Sequence, residues 1–549
     1  MGKAGVERES TWQELDMAVN AVMTATGAPG LSLAITDRNG LLTARSYGYA
    51  NVDAKVPVQE ETLFESGSIG KSFTAIAFMQ LVTEGKVDLQ APIKQYLPWF
   101  EVQSDHAPIT IHHLLTHTSG LMGGSDFVPG ARYEVWALRR AKTFAAPGQH
   151  FCYSNVGYKV LGLALEEIEQ KPYAQIIRER IFDRIGMTAS WGSITHEMRP
   201  LLAVGYTDRF DDRPSLPEDG LLPATWLETD TGDGCLAMNA VDLATYLRAL
   251  MNEGAGPDGA LLGAGQFKTM RYPHDGDSPA PTYGYGLESD TEDGNGRFGH
   301  SGGMVGYTSQ MLGDLDTGYG VVVLCNSFGP TTEVATYALD LLKAEEREGD
   351  RPVLPALIGD PFAVEEGEVF AGSYTDGEID VQITAKEHRL EFVCDGECIP
   401  LRLLRPGSTE GPWLVEHPAF GRAVVRFGRA EEDASTGPVV EMFVGTRWFR
   451  GEQYTGPVSF EVPSKWQAYT GYYRSHNPWG GPFRIAIEKD RLVMVMRGRV
   501  LPLVPDGDGF LVGRGDVFPD GIVFDAIVDG QALVCRYASG AEYSRFFTP

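Results

Sequence analysis

Ser68-Ile-Gly-Lys71-Ser-Phe-Thr-Ala-Ile-Ala-Phe-Met-Gln-Leu-Val-Thr-Glu84, followed by Gly85, is the stretch on which the reading of the fold turns. Ile69, Phe73, Ile76, Phe78, Met79, Leu81 and Val82 fall on every side of a helix drawn at 3.6 residues per turn, so the spacing predicts a helix buried all round. Gly85 supplies the left-handed residue that ends it. Outward from this helix the pattern alternates. Residues 12–23 read as an amphipathic helix. Residues 31–36 and 41–47, split by Asp37-Arg-Asn-Gly40, read as a hairpin on an Asn-Gly turn. Residues 307–313 and 319–326, split by Asp314-Leu-Asp-Thr-Gly318, read as a second hairpin, and 332–343 as a closing helix. Hairpins and helices at both ends of the region, around a buried central helix, predict an antiparallel sheet with helices on its faces.

Beyond residue 350 the helical pattern stops. The charged and proline-rich stretch 344–362 reads as a linker, dividing the chain into 1–350, a connection at 351–362, and two further units at 363–462 and 463–549. Those two units repeat each other at an offset of about 100 residues. Gly372-Ser-Tyr374 matches Gly471-Tyr-Tyr473, and Trp413-Leu-Val415 matches Phe510-Leu-Val512. Ile383, Lys386, Arg389, Leu390 and Val393 parallel Ile485, Lys489, Arg491, Leu492 and Val495. Two small antiparallel β-barrels account for this, since closure removes exposed strand edges. A single two-sheet sandwich is the alternative. Asn477-Pro-Trp-Gly-Gly481 is an insertion relative to the first copy. The fold class is therefore α+β, one mixed domain followed by two barrels.

The totals narrow the function. The chain has 549 residues, 46 Lys and Arg against 74 Asp and Glu, and a formal charge of −28. Such a surface repels phosphate backbones and anionic lipid, which argues against nucleic acid and membrane surfaces as partners. No apolar run reaches the roughly 20 residues a membrane helix needs, and the N-terminus lacks the apolar core of a signal peptide. The six cysteines, at 152, 235, 325, 394, 398 and 535, do not stand at metal-site spacing. A reduced, cytoplasmic protein without metal or organic cofactor is expected. Self-association is left open.

Chemistry enters at the mouth of the buried helix. Ser68 and Lys71 form the only Ser-x-x-Lys in the chain, and residues three apart share a helix face, so the amine can reach the hydroxyl and take its proton. Free N–H groups at a helix start also suit a developing oxyanion. Tyr153-Ser-Asn155 adds a phenol able to shuttle a proton and an amide able to orient Lys71 or a carbonyl. Gly299-His-Ser-Gly-Gly303, just before the second hairpin, would let a substrate lie along a strand edge.

In this order the three motifs resemble the serine β-lactamase and penicillin-binding-protein superfamily, and in their Tyr-x-Asn and His-x-Gly versions its branch of class C β-lactamases, carboxypeptidases, esterases and D-aminopeptidases. Ile109-Thr-Ile-His-His-Leu-Leu-Thr-His-Thr-Ser-Gly-Leu121 looks the same, and the likeness spans about 12–345. It implies Ser68 as nucleophile, Lys71 as its activating partner and Tyr153 as proton shuttle. It further implies Asn155, His300, Ser301 and Gly302 as substrate-binding residues, with backbone N–H groups of Ser68 and Gly303 as the oxyanion hole. A catalytic domain followed by two lipocalin-like barrels is similar to D-aminopeptidases of that family, in which a barrel loop can reach the cleft; here residues 477–481 are the candidate loop. The expected activity is acyl-enzyme hydrolysis of small peptides or amides, with a D-residue as the preferred class. An esterase or a β-lactam hydrolase on the same machinery is the near alternative, and a catalytically silent ligand-binding protein the distant one.

Two departures stand out. His300 takes the place of a lysine found in many β-lactamases, which weakens the charge offered to a substrate carboxylate. Asp233 interrupts a stretch that more usually reads Gly-Gly. Three decoys are set aside. Gly299-x-Ser301-x-Gly303 fits a nucleophile elbow but lacks a following helix, and Gly294-x-Gly296-x-x-Gly299 follows no buried strand. His113-x-x-x-His117 has Leu114 where a zinc protease needs Glu.

Overall fold

The two predicted hairpins lie side by side in one sheet. They do so in a computed structural model that describes residues 3–124, 130–256, 259–263, 265–273, 282–290, 296–346, 350–430, 437–512, 520–537 and 540–546. The sheet has seven antiparallel strands in the order Glu288–Ser289, Arg297–Met304, Tyr307–Asp314, Tyr319–Cys325, Gly30–Asp37, Leu41–Asn51, Val56–Pro57. Leu33 stands opposite Val323, so the first and last hairpins of the domain close on each other. The period-two alternation then divides the apolar side chains between faces. Leu31, Leu33, Ile35, Val321 and Val323 pack with Leu15, Val19, Val334 and Leu339 of helices Lys3–Thr26 and Thr331–Glu346. Ala34, Val322 and Leu324 face a larger core that includes Phe73, Ile76 and Phe78 of helix Gly70–Thr83 and Leu243, Leu247 and Leu250 of helix Ala240–Met251. Twelve residues of the first of these, from Gly70 through Leu81, are buried, as its all-round apolar pattern requires. Gly85 ends it at φ +68°. Among the described residues, no helix is long and apolar enough to cross a membrane.

The repeat resolves into two barrels of one design. Strands from Gly471–Arg474 to Glu542–Phe546 form a closed antiparallel barrel of eight. In the first copy the sheet is nine strands long, but its two end strands, Glu397–Pro400 and Arg402–Leu403, are consecutive in the chain with only Leu401 between them. One kinked segment thus pairs on both sides and brings the sheet round on itself. The matched motifs occupy matched strands. Tyr374 and Tyr473 are both buried, and each donates its hydroxyl to the carbonyl four residues back, Phe370 O and Tyr469 O, at 2.8 Å.

Arginines dock the barrels on the loop flanked by strands Tyr206–Asp208 and Leu221–Pro223. Arg402 pairs with Glu218 and Arg422 with Asp219 from the first barrel; Arg474 pairs with Asp211 and Arg497 with Asp208 from the second. The barrels are joined to each other by Arg426–Glu488 and Lys489–Glu441.

Candidate active site

Ser68 lies in the single 3-10 turn Gly67–Ile69 that feeds helix Gly70–Thr83. One turn on, Lys71 is wholly buried, with 0% of its surface exposed. Its Nζ is 2.9 Å from Ser68 Oγ, 2.7 Å from Asn155 Oδ1 and 2.8 Å from the carbonyl of Asp233. An ammonium has three donors, and here each meets a neutral oxygen, none a carboxylate. The ring of Tyr153 lies 4.8 Å from the same nitrogen and that of Tyr158 5.6 Å, adding two aromatic faces to its surroundings. Ser154 caps helix Asn155–Glu169 by accepting from Gly157 N at 3.1 Å, which sets Asn155 in the first turn facing Lys71. Ser68, Lys71, Tyr153 and Asn155 are therefore gathered at one point.

Backbone, rather than side chain, walls the Ser68 turn. A Cβ at Gly234, whose φ is +152°, would stand 2.3 Å from Gly67 O and 2.9 Å from Ser68 N. A Cβ at Gly302 would stand 2.0 Å from Ser66 O. Only glycine lets three chain segments approach so closely. Gly303 comes alongside as well, its amide nitrogen 2.5 Å from where a Cβ on Gly67 would lie.

The pleat of strand Arg297–Met304 divides the third motif. Ser301 and Gly303 are exposed, whereas His300 and Gly302 face the interior. His300 is 2% exposed and its Nε2 sits 3.0 Å from the Tyr283 hydroxyl, while Gly302 is pressed on Ser66. Burial, reinforced by the charge of Lys71, pushes the His300 imidazole down to about 4, so it is neutral at physiological pH. Ser301 stands in the middle of a strand, not on a strand-to-helix elbow, which removes it as a rival nucleophile. His113 is used in a capping box with Thr110.

Ser68 opens onto a cleft of about 710 Å³ between this domain and the second barrel. Ser68, Asn155, Lys159, Asp233 and Gly303 line one side; Arg474, His476, Trp479 and Glu542 line the other. The inserted 477–481 loop does enter the cleft, and Trp479 packs on the core of the catalytic domain. Lys159, Glu134 and the roles of Asp233 escaped the sequence reading. Lys159 follows Asn155 by one helical turn and pairs with Glu134 at 2.7 Å, with side chains 7% and 4% exposed; Asp233 Oδ2 is 3.8 Å away. A lysine in the apolar run of that helix, four residues after Asn155 and so on the same face, was the available signal.

Comparison with known proteins agrees with this geometry. Residues 15–345, more than half of the chain, match the family model described as Beta-lactamase. Penicillin-binding protein 4* of Bacillus subtilis (strain 168) is 27% identical over 396 residues, covering 65% of this chain and 82% of that protein. Protein flp of Staphylococcus aureus (strain N315) is 26% identical over 325 residues, covering 57% of this chain and 63% of its own length, so the chain spans under two thirds of that relative. The octameric penicillin-binding protein homologue from Pyrococcus abyssi superposes with a TM-score of 0.56 at 26% identity, over 80% of this chain and 99% of that one. With Ser68 and Lys71 in contact at the head of the buried helix and the family model spanning the whole mixed domain, the chain belongs to the β-lactamase family.

Proposed function

We propose that this chain is a serine hydrolase working through an acyl-enzyme on small amides or peptides, with D-residues as the preferred class. Ser68 Oγ bonds to the substrate carbonyl carbon while its proton passes to Lys71 Nζ, which enters this step as the neutral amine and leaves it as the ammonium. The carbonyl oxygen, now negative, faces the backbone N–H groups of Ser68 and Gly303. The C–N bond breaks as the departing amine takes a proton by way of Lys71 and Tyr153, and water then attacks the Ser68 ester by the same route in reverse. The observation that carries this reading is the 2.9 Å contact of a buried, carboxylate-free Lys71 with Ser68 at the mouth of the cleft.

Charge supports the substrate class. His300 is neutral, so the strand edge beside Ser68 gains no cation from it to hold a carboxylate. Of the cations lining the cleft, Lys159 is held by Glu134 and Arg474 by Asp211. Glu542 is likewise paired, with Arg536, whereas Glu228 and Asp230 line the same space and suit a substrate with a free ammonium group.

The test is to incubate wild type and Ser68→Ala with D-amino-acid amides, nitrophenyl esters and a chromogenic cephalosporin, and to weigh the intact protein. An acyl adduct is expected on wild type alone, with D-amino-acid amides turned over fastest and Ser68→Ala slower by about 10³-fold or more. Undiminished turnover by Ser68→Ala ends the proposal. Esters or the cephalosporin ranking first ends its substrate part.

A further inference from the structure

Behind the cleft, His117 touches Tyr153 on three sides. It is 1% exposed and holds its backbone at φ +57°, a left-handed conformation uncommon outside glycine and asparagine. Its carbonyl accepts from Cys152 N at 2.8 Å, and its Nδ1 accepts from Ser154 N at 2.9 Å, so the residues on either side of Tyr153 both hang from it. Its ring lies 4.3 Å from the Tyr153 ring, centroid to centroid.

The far nitrogen continues the contact. Because Nδ1 receives the Ser154 amide, the proton of neutral His117 must be on Nε2, which is 3.1 Å from the Tyr283 hydroxyl. Tyr283 accepts there and donates onward to His300 Nε2 at 3.0 Å. The other end demands the same direction: His300 Nδ1 is 2.5 Å from the carbonyl of Ser301 and must carry the proton, leaving Nε2 as acceptor. Tyr158, which also packs against His117, donates its own hydroxyl to Leu115 O at 2.8 Å, so it meets Tyr283 only as a second acceptor for the Tyr283 proton. The tautomers read from the two ends agree on one direction, from His117 through Tyr283 and His300 to Ser301.

We infer that His117 is a positioning residue: its ring contact and the two backbone bonds flanking Tyr153 hold the phenol in place, and the hydrogen-bond chain ties that segment to the Ser301–Gly303 strand edge, so that proton shuttle and oxyanion site hold one spacing. The inference rests on the acyl-enzyme reading. His117 itself does not line the cleft.

A double-mutant cycle with a D-amino-acid nitroanilide, whose leaving amine needs the proton carried by Tyr153, tests it, following the rate at which Ser68 is acylated. His117→Asn keeps an acceptor for the Ser154 amide and tolerates the left-handed backbone, but loses the Nε2 donor. It should slow acylation about 10- to 100-fold, with KM changed little and with thermal stability near wild type. In a Tyr153→Phe background the same change should cost under about twofold, because no hydroxyl remains to be aimed. Tyr283→Phe, which cuts the chain midway, should slow acylation less than His117→Asn does. A His117→Asn protein as fast as wild type, or a loss that multiplies in full on Tyr153→Phe, overturns the inference. Nitrogen NMR of ¹⁵N-histidine-labelled protein adds a readout independent of turnover: His117 protonated on Nε2 and His300 on Nδ1 support the chain, and either opposite tautomer overturns it. Failure of the hydrolase reading looks different, as an absence of any Ser68-dependent adduct.

Discussion

In the first barrel, strands Gly372–Thr375 and Asp380–Lys386 are joined by residues 376–379, a turn sealed by Asp376 Oδ1 accepting from Glu378 N and Ile379 N at 2.9 and 2.8 Å. In the second, the same connection between Gly471–Arg474 and Phe483–Glu488 runs through 475–482, twice the length. It contains a similar device, Asn477 Oδ1 accepting from Trp479 N at 2.9 Å, but displaced outward so that Trp479 leaves the barrel and packs on the catalytic core. Among the described residues, nothing from the first barrel lines the cleft. The second barrel thus keeps every strand pairing of the first and stands beside Ser68 through the longer loop together with Arg474 and residues 540–542 and 544. Under the proposed function, chemistry stays on the wall made of close-packed backbone, and the opposite wall, made of side chains on that loop and on the ends of two strands, bears on what is admitted.

The strongest way to break this contrast is to replace 475–482 by the four residues Asp-Gly-Glu-Ile of the first barrel. The cleft then loses its outer wall, and the preference among acyl groups should move by about tenfold or more toward larger ones, read as kcat/KM ratios for an ester series. The reciprocal graft, the longer loop placed in the first barrel, should leave those ratios alone. An unchanged ranking in the shortened protein would show the loop to be a bystander. Trp479→Ala is a milder version. Half-burial of a large aromatic ring is worth about 1 kcal/mol of loop docking, so the ratios should move in the same direction by no more than about fivefold.

Gly234→Ala probes the other wall. Its methyl group would meet Gly67 O and Ser68 N at 2.3 and 2.9 Å, and the backbone carrying the nucleophile must shift. Acylation of all substrates should fall together, with their ranking preserved, the reverse of the loop's signature. A change in ranking without a change in rate would erase the division of labour between the walls.

What could be read from the sequence follows the same division. Ser68, Lys71, Tyr153 and Asn155 were legible because short-range geometry controls them: helix spacing for one pair, an N-cap for the other. The sheet was legible because Asn39-Gly40 and Thr317-Gly318 mark turns and the strands are apolar. The barrels were legible through their repeat, down to Tyr374 and Tyr473. The burial of His300 was not legible, since a motif does not say which face of a strand its side chain takes; that depends on the pleat relative to residues such as Tyr283 and His117, remote in sequence. Lys159 left a local signal, a charge within an apolar helical run, but its partner Glu134 lies on another helix, and a pairing between helices leaves no pattern in the sequence. Residues 477–481 were visible only as a mismatch between two copies, which told where to look and not what Trp479 would touch.

The smallest effect expected concerns how the barrels are held. Arg422 donates to Asp219 Oδ1 at 3.0 Å and holds that carboxyl below its ordinary 3.8. A carboxylate with a depressed value adds stability above pH 3.8 that is lost as pH falls through its folded value. Glu488, joining the two barrels through Arg426 at 2.5 Å, is 2% exposed, and burial outweighs the arginine and raises it above 4.5. Its sign is opposite: its contribution is complete below pH 4.5 and declines as pH rises. Acid should therefore loosen the first barrel from the catalytic domain before it loosens one barrel from the other. Each contact responds to pH through a single carboxyl, so the shift will be modest. Limited proteolysis of the 344–362 linker between pH 5 and 3 reads it, as faster cleavage toward acid with the barrel pair recovered as one fragment. Asp219→Asn should make cleavage nearly independent of pH, and separation of the barrels first would reverse the assignment of the two contacts.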